Sequence, residues 1–188
     1  MVALTVVAAV IVGSALWTLT EYAMHRFGFH HRGEGSLFKI IATEHTRHHR
    51  APSATNFLLR LAGHAGVALL GLPIGIFIAA FTSRAFGTTL WATWALGYTV
   101  YEVGHWRLHH RPPHTPAALR RRVRHMSHHG ANAGSNFGVS VDVWDRVFST
   151  AAPSGPVELA EVVAPQWLLD DPSAYEPLVV RGSRQTSG

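Results

Sequence analysis

Residues 2–30 read VALTVVAAVIVGSALWTLTEYAMHRFGFH: no charged side chain from Val2 to Thr20, then Glu21, His25 and His30 in quick succession. An uncharged stretch of this length just reaches the roughly 20 residues that span a bilayer core. It lacks the basic start of a signal peptide and runs directly into a histidine cluster, so it reads as a membrane helix that delivers chemistry at its end.

The histidines continue the pattern. Ten of the fourteen in the chain form four clusters: His25 and His30; His45, His48 and His49; His105 and His109; and His125, His128 and His129. Neutral imidazole is a common ligand for borderline transition metals. Helix residues three and four apart share a face, so each of the last three clusters would present a compact set of nitrogens. His25 and His30 are five apart, about 140° around an ideal helix. That pair should sit where a helix ends or bends, which Gly28 would permit, or should serve two different metals. Ten imidazoles exceed what one ion can hold, which favours two metals sharing the set.

Composition places these clusters at a membrane. The chain is 47% hydrophobic and only 14% charged, where a soluble protein carries about 25% charged residues. A second apolar stretch covers residues 57–81, with Arg60 and His64 near its start and Gly71 and Pro73 in its middle; a kinked or re-entrant segment is the alternative to a simple crossing there. A third runs over 86–104, with Trp91, Trp94, Tyr98 and Tyr101 as candidate interface anchors. Three crossings are expected. For one shared site the clusters at 25–49 and 105–129 must emerge on the same side, and the second and third stretches supply the even number of crossings this needs. Of the sixteen Lys and Arg, only Arg84 lies in the loop between those stretches. The positive-inside rule then puts the histidines in the cytoplasm. Arg120, Arg121, Arg122 and Arg124 read as a membrane-facing basic patch, and nucleic-acid binding is not expected. With no cysteine, disulfides, iron–sulfur clusters and thiolate zinc sites are excluded.

The segments EYAMHRFGFH, EHTRHHRAP, YEVGHWRLHH and HMSHHGANAGSNFGVSVDVWDRVFST carry the boxes HxxxxH, HxxHH, HxxxH and HxxHH, then NFG and WDRVF. Over residues 15–152 the chain resembles the fatty acid hydroxylase superfamily of integral-membrane di-metal enzymes, and within it is most similar to the fatty acid 2-hydroxylases. The resemblance implies an all-α fold, a stem of about three to four transmembrane helices with a cytosolic helical cap. It implies that His25, His30, His45, His48, His49, His105, His109, His125, His128 and His129 hold two iron ions, with zinc a substitute in purified protein. It also implies dioxygen as co-substrate and hydroxylation of a lipid or fatty-acyl chain at carbon 2. Carotenoid hydroxylation and sterol-desaturase-type oxidation at the same metal site are the alternatives. No fused cytochrome b5 domain is recognisable, so electrons are expected from a separate ferredoxin or cytochrome b5-like protein with its reductase, for which the arginine patch is a candidate dock.

Around the boxes, Glu21 and Glu102 are candidate supports for ligating imidazoles, and Glu44 reads as a helix-end acid. Asn136 is a candidate pocket residue, although a turn residue within GANAGSN is the competing reading. Asp142 and Asp145 are expected to fix the cap, pairing with Arg146. His31, His64, His110 and His114 fall outside the boxes; His64 lies within a crossing, where ionisable residues are functional candidates, and His110 competes with His109 for the register. Residues 1–152 thus form the hydroxylase domain. Residues 153–188, with five of the ten prolines and five of the eleven acids, read as a tail docked over the cap and disordered from about 182.

Overall fold

The computed structural model describes residues 2–30, 37–52, 57–130, 132–153 and 155–181; the expected disorder beyond 182 lies outside them. The chain runs α1 (Val2–Ala23), a π-helix (Met24–Phe29), α2 (Leu37–Arg50), α3 (Phe57–Phe81), α4 (Arg84–His110), α5 (Pro116–Gly130), α6 (Val143–Val147), β1 (Val157–Leu159), α7 (Gln166–Asp170), a 3-10 turn (Pro172–Tyr175) and β2 (Leu178–Val180). It divides into two compact units, residues 1–21 with 56–103, and residues 22–55 with 104–188.

The first unit is a helical bundle. α3 is one continuous helix through Pro73. Among the described residues two helices, Val2–Phe29 and Ala62–Phe81, are long and apolar enough to cross a membrane. Leu69, Leu70, Ile74, Ile76 and Phe77 point outward from α3, the arrangement a lipid-facing helix needs. α3 and α4 run antiparallel, since Gly75 approaches Gly87 and Trp91, Gly71 approaches Trp94, and Gly63 approaches Tyr98. α1 and α4 run parallel, with Gly13 against Leu90 and Thr93 and Trp17 against Gly97. Both therefore leave the bundle at the same end, as the crossing parity requires.

The aromatic residues expected at the membrane interface turn inward instead. Trp17 meets Trp94 edge-on at 6.0 Å and Tyr98 at 5.8 Å. The Trp91 indole donates to the Ala68 carbonyl at 2.9 Å, and that of Trp94 to Thr20 Oγ1 at 3.0 Å. Indole N–H groups need a partner when buried, and a helix-bundle interior supplies one that sequence does not reveal. Only glycine fits at position 97, because a Cβ there would collide with the Trp17 ring.

Among its described residues the second unit consists of helices, loops and one pair of strands, a departure from the all-α expectation. β1 and β2 pair in parallel, Val157 opposite Leu178 and Leu159 opposite Val180. Each alternates inward, outward, inward, which gives a strand one apolar face. That face closes over α5 in a core of Met126, Val157, Leu159, Trp167, Leu168, Leu178 and Val180. α5 starts with Pro116 after Thr115, whose hydroxyl accepts the Ala118 amide at 3.1 Å, an N-cap that fixes the phase of the helix. In that phase Leu119, Val123 and Met126 meet the strands, and His125, His128 and His129 fall on the other side.

Leu168 is fully buried in this core. Its replacement by Ala should lower stability by about 2–5 kcal/mol, measured as the shift in the denaturant midpoint of the detergent-solubilised protein; an unchanged midpoint would show that the core packed on α5 does not stabilise the unit.

Candidate metal centre

All ten box histidines lie in the second unit, and they fall into two groups. His25, His30, His45, His49 and His128 form one, and His48, His105, His109, His125 and His129 form the other; within each, one nitrogen from every ring lies within 4.8 Å of the rest. The division cuts across the boxes. In each HxxHH box the first and last histidines, i and i+4, stay together: His45 and His49 in α2, His125 and His129 in α5. The middle one crosses over, His48 to the second group and His128 to the first. His25 and His30 complete the first group, and His105 and His109 the second.

The five-residue spacing of the first box is resolved by the π-helix. A regular α-helix would turn His30 away from His25, but an i→i+5 turn is wider, and Met24–Phe29 adopts it. The two rings stack at 5.3 Å with 28° between their planes. His25 and His30 therefore serve one group, not two.

The nitrogens are spaced like ligands. Nε2 atoms of His25 and His45, of His30 and His128, and of His45 and His30 stand 3.1 Å apart; those of His49 and His45 stand 3.0 Å apart, and those of His125 and His109 2.8 Å. Two imidazoles bound at right angles to one ion, with metal–nitrogen distances near 2.0–2.1 Å, place their nitrogens about 2.8–3.0 Å apart. The tautomers agree. His25 Nδ1–H donates to the Phe137 carbonyl at 2.6 Å, and His128 Nδ1–H donates to the Ser135 carbonyl at 2.7 Å. A carbonyl only accepts, so in both rings Nε2 carries the lone pair and faces the group's centre. In the second group both ring nitrogens of His129 are buried without a hydrogen-bond partner among the described residues, a cost that a cation at the centre removes.

The electrostatics keep these rings neutral. Burial, and then neighbouring imidazoles, hold His45, His125 and His129 well below the usual histidine range. His49 is pushed down to about 3 by burial first and by His128 and His30 next. His128 is lowered to about 4, again by burial first, with the Ser135 bond working the other way. At neutral pH their lone pairs are available without the loss of a proton.

Asp145 holds the loop that orients the first group. It is fully buried and accepts the Phe137 amide at 2.8 Å, the Gly138 amide at 2.9 Å and the Thr150 hydroxyl at 2.8 Å. Arg124 pairs with it at 3.3 Å and donates to the Gly138 carbonyl at 2.8 Å. Position 138 admits only glycine, since a Cβ would strike the Val141 carbonyl. Asn136 proves to be a turn residue: its φ is 55°, and its side chain accepts the Ala152 amide at 3.1 Å. Asp145 and Asp142 both do fix this region, but with different partners: Asp142 pairs with Arg146 as expected and also faces Arg124 at 3.7 Å, and Asp145 turns to Arg124 and the loop amides.

The four-arginine patch does not survive in the folded unit. Arg122 is buried; its guanidinium donates to the Arg111 carbonyl at 2.6 Å, to Arg107 at 3.1 Å and to Ala118 at 3.1 Å, and it stands 5.7 Å from the Trp167 ring. It closes the carbonyl end of α4 on either side of His109, where a cation is favoured. With Arg124 engaged by Asp145, Arg120 and Arg121 are the exposed members.

Other candidates lie elsewhere. His109 and not His110 enters the second group; His110 packs on Trp106 at 5.0 Å. His64 meets Tyr98 edge-on within the helical bundle, and neither it nor His114 belongs to a group. His31 lies outside the described residues. Glu21 and Glu102 stand in the helices that lead into the first and third boxes, and the carbonyls of Phe137 and Ser135 hold His25 and His128.

Replacing Asp145 with Ala should cost about 3 kcal/mol, because Arg124 and two amides lose a buried acceptor, and should weaken metal binding at the first group about 10–100-fold. Unfolding of the metal-free protein and metal titration measure the two effects; equal weakening at both groups would exclude this loop as the specific support of the first.

A model of the family described as fatty acid hydroxylase matches residues 10–150. The human protein named fatty acid 2-hydroxylase is 33% identical over 151 residues, 77% of this chain and 39% of that protein. The dihydroceramide fatty acyl 2-hydroxylase FAH1 of Arabidopsis thaliana is 30% identical, over 77% of this chain and 61% of that protein. This chain thus spans about two to three fifths of their lengths. A solved structure of full-length Scs7p, in which the hydroxylase domain is visible, superposes with a TM-score of 0.61 at 26% identity, over 78% of this chain and 57% of that one. With its ten histidines gathered into two ligand-spaced groups, the chain belongs to the fatty acid hydroxylase family.

Proposed function

We propose that this chain hydroxylates the acyl chain of a lipid at carbon 2, with two iron ions held one in each five-histidine group. The observation that carries this reading is the division of the ten imidazoles into two groups of five whose nitrogens share the spacing of ligands on one ion. The names of the relatives supply the position and the substrate class, fatty acyl and dihydroceramide acyl 2-hydroxylation. None of the relatives named above is a carotenoid or sterol enzyme, so those alternatives are not pursued.

Iron so held would supply the reduction of dioxygen by two external electrons, one oxygen atom entering the C–H bond and the other leaving as water with two protons. The chain's own residues prepare the site. The carbonyls of Ser135 and Phe137 hold His128 and His25 in the tautomer that turns Nε2 inward. Burial of His25, His125 and His128 excludes water that would otherwise compete for open positions. His30 and His49 lie at the half-buried edge of the first group, where dioxygen would have access. An acyl chain that stays in the bilayer needs to bring only its carboxyl end to the metals, so reaction falls near the head group. The electrons would come from a separate ferredoxin or cytochrome b5-like protein with its reductase, and exposed Arg120 and Arg121 are the surface we assign to it.

Mutation separates the two groups. His48→Ala and His128→Ala should each remove about one equivalent of metal and abolish product formation, read by elemental analysis and by fragmentation of labelled acyl lipid after incubation with a reductant system and dioxygen. Less than one ion per chain in the unmodified protein would overturn the two-ion reading. A mid-chain hydroxyl, a new double bond or an oxidised carotenoid ring would overturn the carbon-2 assignment.

The membrane arrangement proposed is three crossings: α1 and α3, whose length and hydropathy suffice, and α4, which runs antiparallel to α3 and parallel to α1, with the histidine unit in the cytoplasm, as the distribution of Lys and Arg favours. A reporter fused at Arg84 should appear outside, and one fused at residues 116–118 inside; both on one side would break the arrangement.

A further inference from the structure

Helix α6 is built the wrong way round for a protein surface in water. Its one fully buried side chain is Asp145, whereas Val143 is 46% exposed and Val147 60%, with Phe148 just beyond it at 47%. Val143 and Val147 are four apart and share a face. Val141, before the helix, is exposed as well. Asp145 faces inward because the 137–138 amides and Arg124 need it. That inward turn forces the valines out.

The patch is tied to the end of the apolar helix α1. Tyr22, in the last turn of α1, stacks on Phe148 at 5.3 Å, and its hydroxyl bonds Thr150 Oγ1 at 2.9 Å. One turn further on, Phe27 is 62% exposed on the π-helix, with the Arg26 guanidinium 5.0 Å over its ring. Trp144 lies 6.3 Å from Phe148. Arg146, exposed, projects from the same short helix. Apolar side chains with Trp, Tyr and Arg at their margin, next to the end of a membrane-length helix, match the composition of the bilayer interface.

We propose that residues 141–148 form a membrane-contacting face: Val143, Val147 and Phe148 enter the acyl boundary of the bilayer, and Arg26 and Arg146 meet anionic lipid phosphates. This face lies on the same segment whose Asp145 anchors the loop holding His25 and His128. Lipid contact and the first histidine group therefore share one segment of chain. The inference rests on the membrane reading of α1 but not on the reaction.

The chain contains no cysteine, so single labels can be placed without altering the background. The full-length protein carrying Val143→Cys or Val147→Cys, labelled with an environment-sensitive fluorophore, is reconstituted in vesicles of phosphatidylcholine and phosphatidylglycerol. Ile11→Cys, exposed on α1, reports the span, and Val162→Cys, the most exposed valine of the carboxyl-terminal region, reports water. At 143 and 147 the emission should shift to the blue relative to 162. It should be lost when the lipids carry brominated chains, and be little affected by aqueous iodide. Quenching by iodide as strong as at 162 overturns the proposal, as does shielding from both quenchers, which would signal a protein partner or a second copy. If position 11 is lipid-quenched while 143 and 147 are not, only the α6 face is wrong; if position 11 is itself open to iodide, the membrane reading falls with it. Two label sites guard against a single misfolded variant.

Discussion

Several neutral imidazoles cannot point lone pairs at one another in a dry interior unless something fixes each ring and something positive occupies the centre. The rest of the second unit is arranged around that constraint. Backbone carbonyls at 135 and 137 take the outer protons of His128 and His25, a buried aspartate holds the amides of that loop, and an arginine neutralises the aspartate. On the other side, Arg122 draws the end of α4 against α5, which brings His105 and His109 beside His125. The polar chain from guanidinium to carboxylate to amide to carbonyl to imidazole is continuous, and the strand-capped core beneath Met126 sets the phase of the helix that carries two of the five histidines of the second group.

Much of this is visible in the amino-acid sequence because it depends on helical period. The boxes at three- and four-residue spacing are shared faces by geometry, and all eight of their histidines enter the two groups. The order of the apolar stretches already implies that α1 and α4 run the same way, and within the helical bundle they lie parallel. The first box was ambiguous for a good reason: a five-residue spacing has no place on a regular helix, and the choice between a bend and two separate sites depends on a backbone widening that no single residue announces.

What stayed hidden depends on tertiary approach. Four arginines in close succession look alike in one dimension, yet two of them are spent on carbonyls and a carboxylate because α4 ends beside α5 and the loop at 138 passes Arg124. Trp91 and Trp94 have the composition of interface anchors but find hydrogen-bond acceptors on neighbouring helices. The strands β1 and β2 are three residues each, too short for alternation to be distinguished from chance, and they exist because α5 offers them an apolar face. Asp145 was read as a fixing residue, but its partner follows from the fold.

The crossing-over of His48 and His128 has an evolutionary meaning. Since each HxxHH box gives two rings to one group and its middle ring to the other, neither group can be inherited, lost or repurposed alone. A change in the pitch or register of α2 disturbs both histidine groups at once, and so does a change in α5. The two histidine groups must therefore drift together, and a descendant that keeps only one of them would have to rebuild both helices rather than simply discard one box.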